Sequence, residues 1–430
     1  MVSKLFHHRY LSARILMLIK HIDLPSFPFP REKTYHPPPL YARLRKEAPV
    51  SQVRLYDGKV AWLLTKHQDC CEALASSKLS ADRHAPGYPE IHAGGHKAKE
   101  AIPTFVNMDD PDHAAQRAML EDEFTPETVD RKWRPMMEEV VDAVLEDFVV
   151  KGQEAAKRQE PIDLIREFAV HAPTLIIYKV LGVPAEDVER LSRDSEIRNS
   201  TSRNAAETAN LELQKYIADL VRQKVQDQQP GDDIITKLVE EQRKPGQLTE
   251  DQVATLAFLV LTAGNAALIN SIALGVLTLL QHPDQLADFK KQPEVLASQV
   301  VNEVTRYHTA SGLNSRRAVK EDLLIGGQLL KRCEGVICAV QAANRDGDKF
   351  PDPDKFDIHR PGMRPEDTLG FGFGPHRCQA EYFSRAQLEI VFVKLFRRLP
   401  GLRLAKKETE LTYSEPTMNI GVNELPVYFQ

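Results

Sequence analysis

The stretch Phe371-Gly-Phe-Gly-Pro-His-Arg-Cys378-Gln-Ala380 decides how this chain is read. Gly370, Gly372, Gly374 and Pro375 let the backbone fold tightly around a bound group. A helical pattern follows from about Gln379 to Arg398, so Cys378 stands at a helix N-terminus. Free backbone N–H groups and the helix dipole there favour a thiolate, and a thiolate is what an iron-bound cysteine must be. His376 and Arg377 flank it as candidate partners for acidic groups on a cofactor. The same glycines imitate a dinucleotide fingerprint. The third glycine of G-x-G-x-x-G would fall on Pro375, however, and no clean strand precedes the run.

Working outward, Glu303 and Arg306 are spaced to share one helix face. Taken alone they read as an ordinary surface pair. Between Gln252 and Pro283 there is no Asp, Glu, Lys or Arg. A run of this length can be a membrane span or the central helix of a large protein. Thr262, Asn265, Asn270 and Ser271 interrupt its middle, which favours the buried helix. Thr249 with Gln252 forms a capping box that opens it, and Pro283 breaks it.

The rest of the chain reads as mainly α. Val50–Tyr56 and Val60–Thr65 flank Asp57-Gly58, a strong hairpin signal. Helical patterns cover Pro111–Glu123, Pro126–Val149, Ile162–Leu181, Asn210–Gln228, Asp233–Gln242 and Leu296–His308. Gly182 and Pro184 mark a helix stop. Short strands are expected at Arg316–Val319, Leu323–Ile325 and Gly335–Ala339. No repeat or flexible linker divides the chain of 430 residues, so 25–430 reads as one domain. Residues 1–24 begin without acidic residues up to Ile22 and carry Lys4, Arg9, Arg14 and Lys20. That start suits a mitochondrial transit peptide or a flexible tail, and the location is expected to be mitochondrial or cytoplasmic. A net charge of −5 argues against a general nucleic-acid binder. Five irregularly spaced cysteines do not form a disulfide framework.

The whole pattern F-x-x-G-x-H-x-C resembles the haem-ligand loop of the cytochromes P-450. The class usually carries Gly where this chain has Ala380. The resemblance implies a cytochrome P-450 fold, with a long central helix, a haem-binding cysteine loop and small β-sheets. It implies haem b with Cys378 as axial ligand, and Glu303 with Arg306 as the buried pair bracing the loop. Phe350-Pro-Asp-Pro-Asp-Lys-Phe356 and Arg360 are similar to the segment packed on that pair. His113, Arg117, Arg317 and His376 match residues that contact the haem propionates.

Within the class the chain is similar to the fungal nitric oxide reductases. Ala263-Gly-Asn-Ala266 lacks the acid-alcohol pair of ordinary oxygenases, as those enzymes lack the acid. Ser26-Phe-Pro-Phe-Pro30, Pro103-Thr-Phe105, Gln281-His-Pro-Asp-Gln285, Tyr307-His-Thr-Ala-Ser311 and Leu369-Gly-Phe-Gly-Phe-Gly374 agree. The resemblance implies reduction of two nitric oxide molecules to nitrous oxide and water. NADH or NADPH would pass hydride directly to the iron-bound nitrosyl, with no redox partner protein, no nucleic acid and no transmembrane anchor. Ser311, Asn265 and Ala267 are the catalytic positions it points to. Arg83, Arg198 and Gly94 fall on nucleotide-binding positions, while Ala81 stands where that cluster carries a basic residue. Gly94 implies that NADPH is accepted besides NADH. Ala267 replaces a family alcohol and Asn419 a family carboxylate of the proton path, whereas Ser311 is retained. Ala267→Thr is expected to raise turnover, and no change would route the relay through Ser311. Two alternatives stay open: a partner-dependent monooxygenase of a small lipophilic substrate, and a haem protein that binds nitric oxide without turnover.

Overall fold

The computed structural model describes residues 24–31, 34–97, 99–188, 190–191, 203–227, 231–414 and 419–429. The transit-like stretch 1–23 and Arg198 lie outside them. Helices make up most of these residues, with three small sheets, as the sequence led us to expect. The helices that matter for the site are α1 (Pro39–Glu47), α2 (His67–Ala75), α3 (Asp112–Ala118), α4 (Arg134–Lys157), α5 (His171–Leu181), α6 (Arg203–Gln226), α7 (Glu250–Gln281), α8 (Pro283–Lys291), α9 (Pro293–His308) and α10 (Glu381–Arg398).

The strands are β1 (Val50–Arg54), β2 (Val60–Leu64), β3 (Leu79–Ser80), β4 (Ile162–Asp163), β5 (Arg316–Val319), β6 (Leu323–Ile325), β7 (Gln328–Leu330), β8 (Gly335–Cys338), β9 (Arg403–Leu404) and β10 (Pro426–Tyr428). β1 and β2 form the expected hairpin, with Val50 opposite Leu64. Gly58 takes φ +81° in its turn, a conformation glycine enters at no steric cost. β8 runs parallel to β2, and the main sheet has the order β1-β2-β8-β5-β3. β6 and β7 form a separate hairpin, and β4, β10 and β9 a third sheet.

α7 has the capping box read from its sequence: the Thr249 hydroxyl accepts from the Gln252 N–H, and the Gln252 side chain accepts from the Thr249 N–H. It is long and apolar enough to cross a membrane by length and composition. In the fold it packs against α5, α6, α9 and α10. Its two ends lie in the largest apolar cluster, with Val253, Leu256 and Leu261 at one end and Ile272 to Leu277 at the other.

Several expected helices begin or end elsewhere. The segment 126–157 opens with the short helix Pro126–Thr128 and a π-turn over Val129–Trp133 before α4. The segment 162–181 starts as β4, because Ile162 pairs with Val427 of β10. Pro283 ends α7 as expected and also opens α8, since a proline in a first turn gives up no helical hydrogen bond. β7 has three residues, with Leu329 exposed and Leu330 buried, too few to leave a periodic signal.

Candidate functional site

The cysteine loop is shaped by hydrogen bonds and close backbone packing. The Cys378 N–H donates to the Phe371 carbonyl at 2.8 Å, closing the loop on itself. Gly374 has φ +70°, and a Cβ there would lie 2.6 Å from the Leu74 carbonyl oxygen at the end of α2. A Cβ at Gly370 would lie 2.3 Å from the Thr305 side chain of α9. Glycine is therefore required at both positions by close approach. Ala380 has φ −91° and ψ 25°, so nothing in its backbone requires glycine.

Glu303 and Arg306 form no surface pair. Both are fully buried, joined by hydrogen bonds of 2.7 Å from Nε and from a terminal nitrogen of Arg306 to the two Glu303 oxygens. Arg306 donates further to the carbonyls of Asn344, Pro353 and Lys355, and Arg360 adds two bonds of 3.3 Å to Glu303. Asn344 carries the brace onward, because its side-chain oxygen accepts from the Leu369 N–H at 2.8 Å, at the start of the cysteine loop. Nothing in the local sequence around Asn344 signals this link, which spans 25 residues.

The Cys378 side chain faces open space although protein groups surround its sulfur. Burial pushes its thiol up to about 11 and outweighs the Ala380 N–H, Arg117 and Arg377, which favour the thiolate. The helix terminus alone therefore does not ionise it. A metal ion would, because a coordinating thiol is deprotonated outright. Among the described residues no cluster of three or more His, Cys, Asp or Glu could hold a metal ion. A single cysteine suits an iron whose remaining ligands come with it.

Four basic side chains gather around position 376, two residues before the cysteine. The rings of His113 and His376 lie 4.1 Å apart. Burial first, then the charges of Arg317, His113 and Arg117, hold His376 down at about 3. Arg317 is only 8% exposed, and its hydrogen bond goes to the Arg316 carbonyl at 2.8 Å. No carboxylate pairs with Arg317 or Arg117 among the described residues, and burial lowers both guanidinium pKa values. His113 gives Nδ1 to Asp110 at 2.8 Å and leaves a buried Nε2 without a partner. An unanswered buried cation is costly, so this cradle fits a ligand carrying two carboxylates, as haem does. Arg377 is not part of it. That residue turns outward to Glu381, at 2.5 and 2.9 Å, which corrects the expectation drawn from its neighbourhood. Gln379, not singled out in the sequence, donates to the Arg117 carbonyl at 2.7 Å and so ties the loop to α3.

The middle of α7 is a second stretch that is not closed by packing. Ala263 is exposed, Ala266, Ala267, Asn270 and Ser271 are half-buried, and a Cβ on Gly264 would meet nothing within 4 Å. Open space therefore runs along this stripe although both ends of the helix are buried. Asn265 does not share it. Its side chain is buried and exchanges hydrogen bonds of 3.1 and 3.3 Å with Thr174 of α5, which makes it a helix–helix contact and corrects its place among the catalytic positions. Ser311 sits half-buried in the turn after α9, and its hydroxyl makes no hydrogen bond among the described residues.

Of the expected nucleotide-binding residues, Arg83 is paired with the buried Glu90 at 3.3 Å and donates to the Gly95 carbonyl at 3.2 Å. Arg316 holds the other oxygen of Glu90 at 2.9 Å. Gly94 is exposed and opens a short helix, Gly94–Lys97. Ala81 is buried, and its N–H donates to Asp109 at 2.8 Å.

Known proteins resemble this chain over most of its length. The family described as Cytochrome P450 matches residues 295–429. Cytochrome P450 55A3 of Fusarium lichenicola is 46% identical over 94% of this chain and 97% of its own length. Cytochrome P450 GfsF of Streptomyces halstedii is 35% identical over 94% of this chain and 96% of its own. The crystal structure of GfsF superposes with a TM-score of 0.87, covering 94% of this chain and all of that one. The mycinamicin VIII C21 methyl hydroxylase MycCI of Micromonospora griseorubida superposes with a TM-score of 0.82 at 29% identity, covering 94% of this chain and 100% of that one.

Proposed function

The chain belongs to the cytochrome P450 family, and within it we propose a haem-thiolate nitric oxide reductase that converts two nitric oxide molecules and NAD(P)H into nitrous oxide and water. Cys378 would ligate the iron, and His113, Arg117, Arg317 and His376 would hold the propionates. Haem bound there would supply the iron centre for this reduction. The observation that carries the reading is the α7 stripe of Ala263, Gly264, Ala266 and Ala267. No acid or alcohol stands where an oxygenase would protonate dioxygen, and Asn265 is spent on Thr174. The 46% identity to cytochrome P450 55A3 supports the same reading.

The chain's part is to orient the nucleotide and supply one proton. Arg83 lines the expected entry, and its charge is answered by Glu90, so nucleotide binding there has to compete with that pair. A partner-dependent monooxygenase is the second reading, favoured by the likeness to MycCI, described as a hydroxylase. Binding of nitric oxide without turnover is the third, favoured by Ala81 and Ala267.

The test is anaerobic. Haem-loaded ferric protein is mixed with nitric oxide and NADH or NADPH, with no other protein, and cofactor oxidation is followed together with nitrous oxide. Two nitric oxide molecules consumed per cofactor is the expected result, with both nucleotides active. A stable nitric oxide complex that oxidises neither cofactor overturns the proposal.

A further inference from the structure

Four polar side chains interrupt the middle of α7, and three of them are spent on protein partners. Thr262 donates to the Phe258 carbonyl at 2.8 Å, Ser271 to the Ala267 carbonyl at 2.8 Å, and Asn265 exchanges bonds with Thr174. The amide of Asn270 makes no hydrogen bond among the described residues. It lies one turn beyond Ala267, on the stripe that faces open space.

Asn270 is held in place by packing. Its amide fills the notch left by Gly421, where a Cβ would come within 2.1 Å of Oδ1. The Ile420 N–H donates to the Ala310 carbonyl at 2.9 Å, which sets the turn carrying Ser311 against the same segment. The segment that carries Gly421 is therefore packed against Asn270 and hydrogen-bonded to the turn that carries Ser311.

We propose that Asn270 holds a water beside the α7 stripe, and that this water delivers the proton consumed in the reaction. The inference rests on the reductase reading for its second half. The balance is 2 NO + NAD(P)H + H⁺ → N₂O + H₂O + NAD(P)⁺. The electron pair arrives as hydride, an N–N bond forms, an N–O bond breaks, and the departing oxygen takes up the hydride hydrogen and the proton. An amide is a poor proton carrier but a good anchor, because it offers a donor and an acceptor to one water. Asn270 would therefore do by water what Ala267 cannot do by a hydroxyl.

The experiment uses the full haem-loaded chain and two probes. Carbon monoxide on the reduced haem reports nearby water through the C–O stretching band, compared in light and heavy water. Nitric oxide turnover reports proton delivery through its pH profile and solvent isotope effect. The parent and Asn270→Asp are expected to show an isotope-sensitive C–O band, and Asn270→Leu an insensitive one. Turnover of Asn270→Leu is expected to fall at least about tenfold, with a larger isotope effect and unchanged nucleotide KM. Gly421→Ala, which displaces the amide without removing it, is expected to shift the band in the same direction and serves where the leucine variant does not fold. A C–O band in Asn270→Leu equal to the parent's overturns the water site. Unchanged turnover with a lost band overturns its role in proton delivery. A parent that reduces no nitric oxide overturns the reductase reading and the proton half with it, and the band alone then decides the water.

Discussion

Arg317 is a buried cation that the protein leaves without a carboxylate, held next to His376, His113 and Arg117. Without a ligand it costs stability, and with an anionic ligand it strengthens binding. Arg317→Leu is therefore expected to raise the thermal midpoint of the haem-free chain and to weaken haem binding about 10- to 100-fold, the range of a charge-assisted hydrogen bond. Haem titration and paired melting curves check it, and a variant that loses stability in both states contradicts the assignment. Cys378 was legible because its loop is a local pattern. Asn265 was not, because a helix sequence does not state which neighbour each side chain meets, and Thr174 is 91 residues away. Gln379 stands beside the cysteine, yet its tie to Arg117 crosses 262 residues.

The brace formed by α9 and the segment after β8 fixes the cysteine loop from behind. Glu303 takes hydrogen bonds from Arg306, Arg360 and the Asp357 N–H, so the buried carboxylate is fully satisfied. Removing one partner leaves an uncompensated buried charge, which typically costs about 3–5 kcal/mol. Arg306→Leu is expected to lose stability of that order in denaturant unfolding and to yield chain that takes up little haem. Arg306→Lys should not rescue it, because one ammonium cannot reproduce the planar fork and its carbonyl bonds. A leucine variant within about 1 kcal/mol of the parent would show that the brace is dispensable. The E-x-x-R spacing was readable, but its burial was not, since the same spacing on an exposed face would be worth a few tenths of a kcal/mol.

Across the whole molecule, charge pairs tie distant segments and give the fold an acid limit. Burial alone would raise the Asp367 carboxyl, but bonds from Lys349 and from the backbone and side chain of Arg364 hold it at about 2. Its unfolded value is about 3.9. A depressed folded value contributes stability that is fully present above the unfolded pKa and is lost as pH falls toward 2. Asp367→Asn is expected to lower the melting temperature at pH 7 and to flatten its decline between about pH 4 and pH 2. Parallel slopes for both proteins in that window contradict the assignment. The sequence by itself determined the helical class, the capped central helix, the β1–β2 hairpin and the thiol at the loop's end, because each is written in neighbouring residues. Only the tertiary structure decided which basic side chains share one anion cradle, that Asn265 faces α5, that Arg377 turns outward, and that Asn270 meets Gly421. Those outcomes depend on how helices and return segments far apart in the chain pack against one another, and periodicity within one segment carries no information about that.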